Sequence, residues 1–401
     1  MSSRQAPHDV IVVGGRVAGA STALLLARAG ARVQLLERGD HGTDTLSTHG
    51  LMRAGVLQLS RWGLLDRVVA AGTPPVRSTT FHFAGQEPLR LSISSRAGVD
   101  ALYAPRRHLL DQILVDAAAD AGADVRHGSR VIGLLHDPDG RVTGVRAVDR
   151  TGTGTSLRAR YVVGADGVRS PVAAAAGAQL LDRGRHASAV RYTYLRGLGL
   201  DGYHWAYGNG AAAGLIPTNG DGHCVFVATS PQRMRTLRLG RSSDAVIDQL
   251  VGLAAPDLRE PVARATRVGH HHGWAGTPGF ARQPWGPGWV LVGDAGHYQD
   301  PIGTHGITDA LRDAELASGA LLEALSDDRG EAAALTAYHR VRDLVSRDLF
   351  EVTDEIASYS WEVADVRHLL RRLSAAMAAE VELLAALPSS AESGLLAVGA
   401  T

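Results

Sequence analysis

The sequence predicts an α/β protein: a parallel-stranded layer interleaved with a β-rich lobe and followed by a helical C-terminus. Three observations carry this. A short β-branched run, a glycine turn and a helix of small residues open the chain. Two more apolar runs of the same kind recur at Tyr161 to Gly164 and Trp289 to Gly293. Between these runs lie alternating, turn-rich stretches that suit antiparallel strands instead.

Asp9 to Val13 reads as a buried parallel strand. Val17 to Gly30 reads as a helix closed by its glycine, and Arg32 to Glu37 as the second strand of a βαβ unit. Leu51 to Ala71 is helical and stops before Pro74-Pro75. Ser78 to Ser95 alternates as strands do, and a helix spans about Arg106 to Ala121. Val125 to Val148 is a β-meander turning at Asp137 to Gly140, and Leu181 to Gly273 is a run of short strands and turns. Long amphipathic helices fill Glu331 to Leu387. The predicted division assigns 1–72, 104–180 and 276–330 to a nucleotide-binding domain and 73–103 and 181–275 to a β-rich substrate domain. A C-terminal helical segment takes 331–401.

Composition narrows the partners. The 401 residues carry 41 basic and 41 acidic side chains, so the electrostatic footprint of a nucleic-acid or anionic-membrane binder is missing. Every basic residue is arginine. Without lysine, Schiff-base and pyridoxal phosphate chemistry and lysine-bearing phosphate loops are excluded. The single Cys224 rules out an internal disulfide, a CxxC pair and a cysteine-rich metal site, and points to a reducing cytoplasm. The start, MSSRQAPHDV, lacks a secretion pattern, and no apolar run approaches the roughly 20 residues of a membrane span. A small or apolar partner and a monomer or homodimer are expected, and no metal.

The first turn reads Gly14-Gly15-Arg16-Val17-Ala18-Gly19, where a Rossmann-like dinucleotide fold places GxGxxG. Gly14 permits the turn, Gly19 lets helix and strand pack closely, and the helix N-terminus offers N–H groups to a pyrophosphate. Arg16 replaces the middle glycine. Glu37, at the end of the second strand, stands where an acid binds a ribose hydroxyl.

Two further motifs, VVGADGVRS at Val162 to Ser170 and LVGDAGH at Leu291 to His297 with the DPIGTHG loop at Asp300 to Gly306, complete an ordered set. With TLSTH (Thr45 to His49) and YAPRR (Tyr103 to Arg107), the chain resembles the single-component flavoprotein monooxygenases of the p-hydroxybenzoate hydroxylase type, from Asp9 to about Leu322. The resemblance implies a glutathione reductase-type FAD-binding domain and non-covalent FAD. It assigns cofactor contacts to Gly14, Arg16, Ala18, Gly19, Glu37, Arg38, Ser47, Arg107, Val131, Asp166, Gly293, Asp294, Pro301, Gly303, Gly306 and Ile307. Asp294 would orient the ribityl chain and also fits a helix N-cap. Gly303 and Gly306 would let the isoalloxazine lie on bare backbone, and the following helix would aim its N-terminus at the flavin edge that gains charge on reduction. NAD(P)H, as the electron donor, would bind transiently in a groove of the FAD domain, as in the resembled hydroxylases, because only one dinucleotide fingerprint is present. O2 would then form a C4a-hydroperoxide that oxygenates a small aromatic or polyketide-like substrate.

His305, in the flavin loop, and His49, in the TLSTH segment, are the candidate catalytic residues, and a structural or cofactor-orienting role suits each of them better. Tyr192, Tyr194, His204, Trp205, Tyr207 and Pro217 are candidates for an apolar substrate pocket, although alternation should turn about half of such residues away. The rivals are a reductase of the geranylgeranyl reductase type acting on a C–C bond, and a non-catalytic flavin-binding protein. The flavin-dependent halogenases share the fold, but their lysine is missing and only the tail of their WxWxIP motif survives at Leu215-Ile216-Pro217.

Overall fold

The computed structural model describes residues 8–388; expectations for 1–7 and 389–401 lie outside the described residues. Its first sheet has a parallel core in the order Trp289–Leu291, Gly154–Gly164, His8–Val13, Val33–Leu36, Asp124–Arg126. The central strand pairs on both sides, Val12 lying opposite Leu35 and Val163. Its alternation divides two cores. Val10 and Val12 pack under the helices Val17–Arg28, Arg107–Asp120 and Gly306–Ser326, while Ile11 and Val13 join the meander Arg130–His136, Val142–Val148 and Gly154–Gly164.

The second sheet has seven strands, ordered Thr266–Trp274, Ala189–Arg196, Gly222–Thr229, Ala211–Thr218, Tyr203–Gly208, Ser78–Phe83, Leu89–Ser92. One face carries Tyr192, Tyr194, Cys224, Ile216, Trp205 and Tyr207, and the opposite face packs on helices through Leu195, Leu215 and Val225.

Those helices correct the sequence reading. Between Leu181 and Gly273 the chain is not all strand and turn: Pro231–Arg238, Ser243–Ala254 and Pro256–Arg264 are helical. Their starts are written locally. The Ser230 hydroxyl accepts from the Arg233 N–H with Pro231 following, and the Ser242 hydroxyl accepts from the Ala245 N–H. Leu51 to Ala71 is likewise two helices, Arg53–Arg61 and Leu65–Ala70, broken at Gly63, which has φ +69°.

Two long helices, Glu331–Ile356 and Val363–Ala386, close the described chain. The second spans both lobes: Val366, Leu369 and Leu373 pack on the tyrosine-bearing face of the second sheet, while Val381 and Leu384 enter the core of the first. No helix among the described residues is long and apolar enough to cross a membrane.

Candidate active site

A cleft of about 290 Å³ opens at the carboxyl ends of the parallel strands, between the two sheets. The first-turn glycines set its floor. A Cβ on Gly19 would stand 1.8 Å from the Gly14 carbonyl oxygen, and one on Gly14, whose φ is +105°, would stand 2.4 Å from that of Ala165. Only glycine lets helix and strands meet this closely. Val17 and Ala18, at the start of the helix, line the cleft, and no side chain caps its N-terminus. Arg16 does not block the approach. Its guanidinium swings outward to the Thr43 carbonyl and hydroxyl and to Asp111, 3.0 Å away. The buried Asp111 also accepts from Arg107 at 3.1 Å, so one carboxylate braces both arginines of the cleft wall.

Glu37 is buried behind the turn. Its carboxylate accepts the Gly15 N–H at 2.6 Å and the Gly39 N–H at 2.7 Å. Arg38 beside it is exposed, and Val131 sits in the meander strand that follows Ser129, whose N–H donates to the Glu37 carbonyl. Neither Arg38 nor Val131 lines the cleft.

The far wall comes from the GDAG and DPIGTHG segments. Asp294, in the turn Gly293–Ala295, faces the cleft, and its carboxylate has no protein hydrogen bond among the described residues. Burial first, and then the charge of Asp309, push its pKa up to about 7. Gly293 stands behind it with φ +56° and its N–H on Asp313. Pro301, Thr304, His305, Gly306 and Ile307 line the cleft, at the uncapped start of the helix Gly306–Ser326.

The two histidines behave oppositely although both are buried. His49 lines the cleft in the left-handed region at φ +46°, with Nε2 3.1 Å from the Tyr194 hydroxyl. Burial, reinforced by Arg106, lowers it to about 3, so the ring is neutral. His305 also bears the cost of burial, but Glu380 and Asp309 override it and raise its pKa. Its Nε2–H donates to the Glu380 carboxylate at 2.7 Å, and Glu380 accepts from Arg312 at 2.9 Å. His305, Asp309 and Glu380 would suit a metal ion by type, but the Arg312 guanidinium already bonds both carboxylates and takes a cation's place among them.

Besides Arg38 and Val131, further predicted site residues lie away from the cleft. Asp166 does not present its carboxylate to the cleft: it accepts from the Ser170 hydroxyl and, at 2.9 Å, from the Val172 N–H, capping the helix Pro171–Ala175, while Ala165, Gly167 and Val168 form the wall. Gly303 does not bare its backbone to the cleft; a Cβ there would stand 2.8 Å from the Thr353 hydroxyl, so the missing side chain makes room for a C-terminal helix. Of the six substrate-pocket candidates only Tyr192 lines the cleft. Tyr194 backs His49 under the Arg106 guanidinium, 3.8 Å above its ring. Trp205 and Tyr207 share its sheet face but pack in the core, Tyr207 against Trp361. His204 and Pro217 fall on the opposite face by alternation, His204 with its Nδ1 3.0 Å from His82.

Thr48, within the TLSTH segment, lines the cleft with Ser47 and His49, and so do Val190, Trp274, Tyr298 and Gln299, which the sequence motifs do not include. Tyr298 and Gln299 lie directly between the two motifs, a position that already marked them. Trp274 and Val190 depend on strand ends that the sequence does not locate. His272, stacked at 4.7 Å on Tyr192, extends this wall.

The arrangement fits a dinucleotide with a redox-active ring. It offers an uncapped helix start behind a glycine cradle, two braced arginines, an unpaired carboxylate, and buried polar atoms without protein partners at His49 Nδ1, Gln299 Oε1, His305 Nδ1 and Thr308 Oγ1. These define a flavoprotein-type nucleotide site. The family described as FAD binding domain matches residues 7–353, and the chain belongs to it: it is an FAD-dependent oxidoreductase. It is similar to aklavinone 12-hydroxylase DnrF of Streptomyces peucetius, 27% identical over 398 residues, 90% of this chain and 76% of that protein. It is also similar to digeranylgeranylglycerophospholipid reductase 1 of Methanococcoides burtonii, 26% identical over 341 residues, 83% and 79% of the two chains. In fold it matches a triple mutant of the flavin-dependent brominase Bmp2, with a TM-score of 0.81 over 98% of each chain at 16% identity, a likeness of architecture alone.

Glu37 offers a direct check of the cradle. Glu37→Ala leaves the Gly15 and Gly39 N–H groups unpaired, and roughly 1–3 kcal/mol of local stability goes with them. FAD affinity, followed by quenching of flavin fluorescence, is expected to fall about ten-fold or more, with Glu37→Gln intermediate.

Proposed function

We propose that the protein is an FAD-dependent monooxygenase that uses NAD(P)H and O2 to oxygenate a small aromatic or polyketide-like substrate. The observation that carries this is the cleft itself: FAD-type machinery on one wall faces aromatic and apolar side chains, Val190, Tyr192 and Trp274, on the other. The similarity to a 12-hydroxylase of aklavinone supports it. Bound FAD would supply the redox chemistry, taking two electrons from the nicotinamide and directing one oxygen atom of O2 to substrate and the other to water.

The chain's own residues do the rest. Arg16 and Arg107, fixed by Asp111, would hold the pyrophosphate of FAD, and Asp294 would accept hydrogen bonds from its ribityl hydroxyls. The start of the helix Gly306–Ser326 and His305, whose pKa Glu380 and Asp309 raise against burial, would favour negative charge on a ring bound beside them. His49, neutral, takes part through hydrogen bonding alone. Val190, Tyr192 and Trp274 would keep water from a substrate and cofactor held in the cleft. We propose that the enzyme works in the cytoplasm as a monomer or homodimer.

A reductase acting on a C–C bond is the second reading, favoured by the likeness to the digeranylgeranylglycerophospholipid reductase. A halogenase is disfavoured because the chain has no lysine. The purified protein is expected to be yellow, to consume O2 and NAD(P)H when a suitable polycyclic phenol is present, and to incorporate one atom of 18O2 into product. Product formed equally without air would establish the reductase instead.

A further inference from the structure

We propose that a second pocket beside the cleft is an anion subsite that takes the phosphate groups of the reduced nicotinamide donor. The identity of the donor rests on the reading above; the anion site itself does not. The pocket, about 180 Å³, is formed by Arg191 of the strand Ala189–Arg196, Met234, Arg235 and Arg238 of the helix Pro231–Arg238, and the end of the strand Thr266–Trp274. It shares Gly273 and Trp274 with the cleft, so a ligand seated on the arginines reaches the cleft over that strand end.

The chain lacks a second dinucleotide fingerprint. Its one dinucleotide fingerprint lies at Gly14 to Gly19, in the FAD cradle, and with no lysine any side-chain clamp for further phosphates has to be built of arginine. The two arginines that line the cleft, Arg16 and Arg107, are both braced by Asp111 on the FAD side. The three in the second pocket have no carboxylate partner among the described residues. Arg235 and Arg238 gain from the C-terminal end of their helix, but that dipole supplies no counter-charge to Arg191. Arg191 is half-buried on its strand, where burial and then Arg238 disfavour its charge. Three guanidiniums gathered on one pocket without a carboxylate, Arg191 and Arg238 repelling each other, are what a phosphate group relieves, by charge and by their paired N–H donors. Met234 and Trp274 add an apolar surface for a ring, and Arg235 and Arg238 stay open to solvent, as a donor that must come and go requires.

The test uses FAD-loaded protein and 2′-phospho-ADP-ribose, which carries the donor's phosphates without its nicotinamide, with inorganic pyrophosphate as a second probe. Calorimetric titration is expected to show binding that weakens with salt and falls ten-fold or more in Arg191→Gln and in the double variant Arg235→Gln/Arg238→Gln. Donor KM is expected to rise in parallel, while FAD affinity stays at the wild-type value. Failure of the wild-type protein to bind either probe, or equal binding by the folded variants, overturns the subsite. Loss of pyrophosphate binding with an unchanged donor KM, or a KM change confined to an anionic substrate, overturns the donor assignment. Were no nicotinamide oxidised at all, the functional reading would fall, and the probe titrations would still decide the pocket.

Discussion

Glu380→Ala is expected to cost about 3–5 kcal/mol of folding stability, the penalty for stranding buried charge. Glu380 is 1% exposed and serves two cations that are equally hidden, His305 and Arg312. Five charged groups meet here, His305, Arg312, Asp309, Asp313 and Glu380, with Arg312 bonded to all three carboxylates. Removing one partner leaves the others without water to replace it. The pair is also a pH gauge. Against the cost of burial, His305 and Arg312 hold Glu380 down at about 2, below its ordinary 4.5, so its stabilising contribution is present above pH 4.5 and disappears as pH falls toward 2. His305 is raised, so its contribution is complete below its unfolded value of 6.5 and is lost as pH climbs through the folded one. The difference in urea stability between wild type and Glu380→Ala is therefore expected to be greatest between about pH 4.5 and 6.5. Glu380→Gln keeps the volume and removes the charge. In that variant His305 should deprotonate at lower pH by NMR, and, with FAD held as proposed, the flavin potential should turn more negative as positive charge on His305 is lost.

How much of this was legible in the sequence depends on the range of the interaction. The βαβ unit, the glycine turn and Glu37 are written within 30 residues, because strand, turn and helix constrain one another locally; the structure seats Gly14 and Gly19 where a Cβ would collide with backbone. The GDAG and DPIGTHG segments were legible for the same reason. Asp166 was misread because a carboxylate four residues before a serine has a nearer employment, capping Pro171–Ala175, which the motif does not reveal. The substrate wall was the least legible. Tyr192 and Tyr207 are alike in type and alternation, and only the C-terminal helices, which bury Tyr207 against Trp361, distinguish them. Glu380 was invisible: it lies 75 residues from His305, and nothing in an amphipathic helix marks one glutamate as facing a buried imidazole.

Asp294→Asn is expected to loosen FAD and firm up the protein without it. The carboxylate faces the cleft with no protein donor, and burial raises it to about 7 from 3.8. In the folded apoprotein it therefore retains a proton that the unfolded chain gives up near pH 4, and its effect on stability grows steadily worse as pH rises from about 4 to about 7. Asparagine cannot ionise, so the substitution should stabilise the apoprotein above pH 7 by about 0.5–2 kcal/mol, the range usual when a functional group is relieved of strain. The same ionisation serves the cofactor. Ribityl hydroxyl donors favour the carboxylate, so FAD uptake should release a proton near neutral pH, and affinity should strengthen as pH rises toward 7. Calorimetry in two buffers of different ionisation enthalpy measures that proton directly. In Asp294→Asn the release should vanish and Kd should weaken by ten- to a hundred-fold, matching the roughly 1.5–3 kcal/mol of a hydrogen bond to a charged group. Unaltered proton release in the variant would move the titrating group elsewhere, with Asp300, buried behind the cleft wall and raised to about 6 by burial, the next to examine.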